Sequence, residues 1–249
     1  MTRPPVDVVV LSWNDGDLLH AAVASATDSR DVDVHVVVVD NGSDPPAAVV
    51  EDERVRLIRN EENMGVAGGR NQGVAATTAP LVCLLDSDAR LRADCLVTLV
   101  APMLADERIA LAAPVFAGQS PEASAGRAPS LARKAARGLN LASTYQAMDR
   151  GADDDQWEVE FAIGACQLIR RQAFDDVGGL DDRYLFGPED VDLCLRLRQR
   201  GWRVVQVATA VCDHPPRRAH RRLLTRRGLA HGWALLRHYW RHRPRFGAS

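Results

Sequence analysis

The stretch PLVCLLDSDARL, residues 80–91, ends an apolar run in two aspartates, Asp86 and Asp88, on either side of Ser87. Carboxylate oxygens suit hard divalent ions, which proteins often hold through one or two carboxylates plus substrate phosphates. The same triplet also reads as a solvated turn at a strand end. A second acidic pair, Glu189 and Asp190, follows Phe186-Gly187-Pro188. At a helix start such residues meet the positive end of the macrodipole and accept from free N–H groups. A carboxylate on a corner fixed by Gly and Pro can equally take a proton from a hydroxyl. His214 closes the run VVQVATAVCDH, where an imidazole either packs or supplies a third metal ligand.

The glycines of NMGVAGGRNQGV carry a different message. GVAGG, with Gly65, Gly68 and Gly69, is not a dinucleotide fingerprint, and no Walker lysine accompanies it. Glycines here allow close backbone approach to a ligand or to a neighbouring strand. Arg70 and Asn71 follow, placed to meet an anionic group at a helix start.

These residues need a scaffold, and the hydrophobic pattern supplies one. Residues 6–12, 34–39, 55–59 and 81–85 are short apolar runs of the kind found in strands buried on both faces. Helical periodicity covers residues 17–26, with Leu18, Leu19, Ala22, Val23 and Ala26 apolar. An Ala-rich helix is expected in the second half of NMGVAGGRNQGVAATT. Residues 117–157, rich in Ala, Gly, Ser and Arg, read as a mobile loop with a short helix. Strand character and then a helix start resume at Glu158; residues 190–199 form a helix that Gly201 ends, and residues 204–211 form a last strand. Alternating strands and helices predict an α/β fold whose mostly parallel sheet binds ligands beyond its C-terminal strand ends. Ser12-Trp13-Asn14, Asp40-Asn41 and Asp86-Ser87-Asp88 all sit at such ends, so three polar clusters should converge on one edge.

Composition narrows the class. The 249 residues are 46% hydrophobic and carry a net charge of −2, enough for a sizeable core and too little positive charge for a general nucleic-acid field. Five cysteines without a CxxC pair argue against a disulfide framework or a zinc ribbon and fit a reducing, cytoplasmic setting. The first apolar run is too short for a signal-peptide core, and no stretch approaches the roughly 18 apolar residues of a membrane span.

Taken together, VVVLSWND, VVVVDNGSDP, NMGVAGGRNQGV, LLDSDARL, GACQLIRRQAFDDVGGLDDRYLFGPEDVDLCLRLRQRGW and the late CDH resemble the family-2 nucleotide-sugar glycosyltransferases of the GT-A fold. They run in the family's order through most of residues 6–214, and the likeness is greatest to bacterial rhamnosyltransferase-like members. The resemblance implies a Rossmann-like, mostly parallel central sheet flanked by helices, with a small acceptor-side subdomain. It implies a nucleotide-sugar-binding half over residues 1–117, an acceptor-binding and catalytic half over 118–215, and a basic C-terminal tail over 216–249. Ser12, Asn14 and Asp40 would line the base and ribose pocket. Arg70, with Asn63 and Gly65, would border the base or diphosphate. Asp86, Ser87 and Asp88 would form the family's DxD motif, with Asp88 the direct metal contact. Gly164 and Ala165 would lie under the donor sugar. Asp190 would be the general base, Glu189 would orient acceptor or base, and His214 would complete the metal shell.

The implied activity is inverting, metal-assisted transfer of a hexosyl or deoxyhexosyl group. The donor would be a UDP- or dTDP-linked sugar, the acceptor a glycan, a lipid-linked or a small-molecule hydroxyl, and the cofactor Mn²⁺ or Mg²⁺. Two alternatives use the same residues. One is a nucleotide-sugar-binding or degenerate transferase module without turnover. The other is a nucleotidyltransferase, disfavoured because SWNDGD lacks the usual lysine. Residues 217–245 combine many arginines with Leu229, Trp233, Leu236 and Trp240 at helical spacing. That pattern reads as an apolar stripe packed on the domain, or as a basic amphipathic helix at the inner, anionic face of a membrane. Co-sedimentation with anionic vesicles distinguishes the two. No nucleic-acid partner is expected.

Overall fold

A computed structural model of the chain describes residues 2–128, 154–184 and 188–215. The basic tail, and most of the segment expected as a loop over 117–157, lie outside the described residues.

The first half alternates strand and helix: β1 (Pro5–Ser12), α1 (Asp17–Thr27), β2 (Asp33–Asp40), β3 (Val55–Arg59), α2 (Gly65–Ala75) and β4 (Leu81–Asp86). There follow β5 (Arg90–Leu91), α3 (Cys95–Ala105), β6 (Ile109–Phe116), β7 (Ala125–Gly126), β8 (Gln156–Glu158) and β9 (Phe161–Ala162). The described chain ends with β10 (Cys166–Arg170), α4 (Arg171–Asp176), α5 (Glu189–Gln199) and β11 (Arg203–Asp213).

Among the described residues the main sheet has the order β3-β2-β1-β4-β10-β6-β11-β5, with β8 paired to β11; β7 and β9 form a separate two-stranded ribbon. β1 runs parallel to β2 and to β4, and β2 runs parallel to β3. β10 is antiparallel to both β4 and β6, and β11 is parallel to β6. The C-terminal ends of β1, β2, β4, β6 and β11 therefore share one edge, and β10 begins there.

Side-chain alternation gives the central strands β1, β2 and β4 two buried faces. Val6, Val8 and Val10 point to a layer containing Leu19, Val23, Leu96 and Leu99 from α1 and α3. Val9, Val39, Val82 and Leu84 point to a layer containing Ala67, Val74, Phe174, Leu193 and Leu197 from α2, α4 and α5. Helices on both faces of one sheet account for near-continuous apolar strands.

Several expectations need correction. α2 begins at Gly65, ahead of the expected start, and carries the glycines inside it. Two of its glycines make the close approach to a neighbouring strand, β1, that is one of the two readings of this segment. A Cβ on Gly69 would stand 2.5 Å from Leu11 Cδ1, and one on Gly73 would fall inside contact distance of Val9 Cγ1. α3 and β6 were not anticipated. All five cysteines are buried and free of disulfides. No helix among the described residues is long and apolar enough to cross a membrane.

Candidate active site

The strand register brings the polar clusters together. Ser12 pairs with Asp40 across β1 and β2, and Leu11 pairs with Asp86 across β1 and β4. Just beyond β1, Asp15 Oδ2 accepts from Trp13 N at 2.8 Å and from Ser87 Oγ at 2.5 Å, tying the first loop to the aspartate triplet. Ala165 O accepts from Asp86 N at 2.9 Å, so the approach to β10 fixes the end of β4.

Asp86, Asp88 and His214 each offer a ligand atom, and these atoms lie within 4.8 Å of one another. His214 Nε2 is 3.5 Å from Asp88 Oδ1, without hydrogen-bond geometry, and is buried with no hydrogen-bond partner. The imidazole rests against Phe116, with ring centroids 4.8 Å apart, and its carbonyl accepts from Gln119 Nε2 at 2.8 Å. Two carboxylates and one imidazole suit an intermediate or hard divalent ion such as Mn²⁺ or Mg²⁺. The donor chemistry and spacing therefore fit the expected metal.

Glu189 and Asp190 open α5 and behave differently. Asp190 is half-buried; its Oδ2 accepts from Gly164 N at 3.1 Å and its Oδ1 from Val191 N at 2.8 Å. Glu189 is buried, and its Oε2 has no hydrogen-bond partner. Burial first, and then the charge of Asp190, push its carboxyl up to about 7, while the Arg70 guanidinium pulls the other way.

Arg70 is only 2% exposed. Its Nη2 donates to Asp86 Oδ1 at 2.5 Å and to Gly164 O at 2.6 Å, so the expected anionic partner is a carboxylate of the protein itself. Asn71 is likewise occupied: Nδ2 donates to Leu180 O and Oδ1 accepts from Leu180 N, at 2.8 and 2.9 Å.

The nucleotide-side residues divide in the same way. Ser12 Oγ is buried without a partner at the end of β1. Asp40 spends Oδ1 on Ser43 N and Oδ2 on Ala47 N, at 3.0 and 2.9 Å, shaping the loop after β2. Asn14 is exposed, and its Oδ1 accepts from Asp44 N at 2.8 Å. Asn63 Oδ1 accepts from Gly65 N at 2.8 Å and from Asn41 Nδ2 at 3.0 Å. Asn41, expected in the Asp40-Asn41 cluster but without a role of its own, is buried and also bonds Gly65 O, Met64 N and Asn60 Nδ2. Its signal was a polar residue directly after a buried strand.

Comparison with known proteins decides the family. The model of glycosyl transferase family 2 matches residues 7–178. The chain belongs to glycosyl transferase family 2. This family-2 chain is 31% identical over 253 residues to the pre-mycofactocin glycosyltransferase of Mycobacterium tuberculosis, covering 93% of this chain and 48% of the relative. It thus spans about half the length of that protein. It is 28% identical over 232 residues to the N-acetylglucosaminyl-diphospho-decaprenol L-rhamnosyltransferase of the same species, covering 83% of this chain and 75% of the relative. Among solved structures, GalNAc-T7 with UDP, GalNAc and Mn²⁺ aligns with a TM-score of 0.68 at 18% identity, covering 85% of this chain and 44% of the other. The mannosyltransferase PcManGT of Pyrobaculum calidifontis, with GDP-Man and Mn²⁺, aligns with a TM-score of 0.65 at 17% identity, covering 100% of this chain and 66% of the other. The family-2 chain therefore has the GT-A fold.

Proposed function

We propose that the chain is an inverting glycosyltransferase acting on a nucleoside-diphosphate sugar, with Asp190 as general base. One observation carries the reading. Ser12 Oγ, Glu189 Oε2 and His214 Nε2 are buried without hydrogen-bond partners at the same edge where Asp86, Asp88 and His214 cluster. Buried polar atoms are normally satisfied, and their gathering beside a carboxylate–imidazole cluster supports reading this edge as a ligand site.

Asp88, Asp86 and His214 would hold Mn²⁺ or Mg²⁺, as the Mn²⁺ in both structural neighbours suggests. A divalent ion bound there offsets the negative charge of the departing diphosphate. Ser12, Asp40, Asn63 and Gly65 would border the nucleoside, and Gly164 and Ala165 would lie beneath the sugar. The half spanning residues 1–117 would hold the UDP- or dTDP-linked hexose or deoxyhexose. The half spanning 118–215 would present the acceptor, a glycan, lipid-linked or small-molecule hydroxyl. In the transfer step the acceptor oxygen forms a bond to the anomeric carbon as the bond from that carbon to the diphosphate oxygen breaks. The hydroxyl proton passes to Asp190, and the electron pair of the broken bond leaves with the nucleoside diphosphate. The Gly164 and Val191 N–H groups orient Asp190 for that role.

A donor panel with Mn²⁺ tests the assignment. Asp190→Asn should retain Mn²⁺-dependent nucleotide binding by calorimetry and lose transfer by at least 100-fold, within the range ascribed to a positioned base. Transfer near the wild-type rate in this variant would refute the base assignment.

A further inference from the structure

The metal cluster and the proposed base are joined by a short chain of contacts through a buried arginine. Arg70 Nη2 bridges Asp86 Oδ1 and Gly164 O, and the N–H of that same Gly164 reaches Asp190 Oδ2. We infer that Arg70 is a positioning residue, holding Asp86 toward the metal and the Gly164 peptide toward Asp190 rather than meeting the nucleotide. The inference rests on the reading of Asp86 as metal ligand and Asp190 as base.

Three features support it. Arg70 is 2% exposed, and a buried guanidinium is tolerated only where fixed acceptors compensate its lost hydration. Both bonds come from Nη2, whose two N–H donors lie in the rigid guanidinium plane, so one nitrogen holds a carboxylate and a carbonyl in fixed relative positions. The space on the other side is reserved for it: a Cβ on Gly164 would stand 2.5 Å from Arg70 Nη1 and 3.4 Å from Cζ. Gly164 is thus a glycine because Arg70 lies against it.

Two charge-conserving variants disturb the same contact from opposite sides. Arg70→Lys removes the planar guanidinium with its doubly donating Nη2, and Gly164→Ala pushes the guanidinium away. Mn²⁺ alone is the probe, followed by calorimetry and by electron paramagnetic resonance of the bound ion. Partners that orient metal ligands are worth roughly 10–100-fold in affinity, so each variant should raise the Mn²⁺ Kd by about 10-fold and alter the line shape. Because both break one contact, the double variant should be no weaker than the weaker single. The Gly164 amide signal, in nuclear magnetic resonance of the ¹⁵N-labelled protein, should move in Arg70→Lys as its bond to Asp190 changes. If Gly164→Ala fails to fold, Arg70→Lys carries the affinity and amide expectations alone. An unchanged Mn²⁺ affinity, a multiplicative loss of about 100-fold in the double variant, or an unmoved Gly164 amide overturns the assignment. Wild-type protein that binds no Mn²⁺ would instead sink the metal-site reading, and this inference with it.

Discussion

At the scale of single residues, the two neighbouring carboxylates at the start of α5 illustrate how environment divides similar chemistry. Asp190 stands half-buried between two backbone N–H donors. Glu189 is 7% exposed, has an unpartnered Oε2, and is pushed up to about 7 by burial and by Asp190, with Asp86 adding in the same direction and Arg70 opposing. The sign for stability follows from linkage. Below its ordinary value of 4.5, Glu189 is protonated in both folded and unfolded chains, and no penalty applies. Between 4.5 and about 7 the unfolded chain ionises while the folded one resists, so stability falls as pH rises. Above about 7 the full penalty, about 3 kcal/mol, is in place. Glu189→Gln should therefore match the wild type at pH 4.5 and exceed its unfolding free energy by about 3 kcal/mol at pH 8. Denaturant unfolding at the two values checks this, and an equal difference at both would contradict the protonation argument. A residue that weakens the fold at neutral pH and yet lies at the proposed catalytic corner has the character of a functional group, since sites of chemistry are where pKa values are displaced.

At the scale of elements, α2 shows a helix whose sequence is shaped by what it touches. GVAGGRNQGVA is poor in helix-favouring side chains, yet it is a helix of eleven residues. Gly69 and Gly73 let it sit directly on β1, while Arg70 and Asn71 reach Gly164 and Leu180 in the second half of the chain. Gly73→Ala should destabilise the protein by about 1–3 kcal/mol through overpacking against Val9 and Val39, despite the better helix propensity of alanine. Gly68→Ala, whose new Cβ meets only the Met64 side chain, should change stability by about 0.5 kcal/mol or less. Denaturant titration of both variants separates close packing from propensity.

The same helix marks the limit of what the sequence discloses. The strands under Ser12, Asp40 and Asp86 were legible because a run such as Val6–Ser12 has its own local signature, and parallel strands put their C-terminal ends together. The start of α2 was not legible, because its glycines satisfy contacts with β1 that local periodicity does not encode. α3 was missed although Leu96, Leu99, Val100 and Met103 recur at helical spacing. The insertion of β10 between β4 and β6 leaves no mark in local pattern, yet that insertion places Gly164 and Ala165 beside Asp86. His214 lies far along the chain from Asp88, and the pairing of β11 with β5, Asp213 opposite Arg90, brings it near. Residue types were readable, while the partners of Arg70, Asp40 and Asn14 required coordinates.

At the scale of the whole molecule, one sheet edge gathers the candidate site, with α2 supplying Arg70 and the start of α5 supplying Glu189 and Asp190. β1, β2, β4, β6 and β11 end at a common edge, where the unpartnered groups of Ser12, Glu189 and His214 come together from both halves of the chain. A ligand that satisfies them joins segments far apart in sequence and stabilises the folded form by mass action. At a hundred times its Kd this amounts to about 2.7 kcal/mol. For a chain of 249 residues that corresponds to a rise of about 5–10 °C in Tm. UDP, dTDP and GDP, each with and without Mn²⁺, can be compared by scanning fluorimetry. One nucleotide should give the full rise only with Mn²⁺, and Asp88→Ala should remove the metal-dependent part while leaving the ligand-free Tm within a few degrees of the wild type. An equal rise without metal, or a metal-dependent rise surviving in Asp88→Ala, would mean that the Asp86, Asp88 and His214 cluster does not couple metal to nucleotide. The nucleotide that gives the largest shift would identify the base accepted by the pocket proposed at Ser12, Asp40 and Asn63.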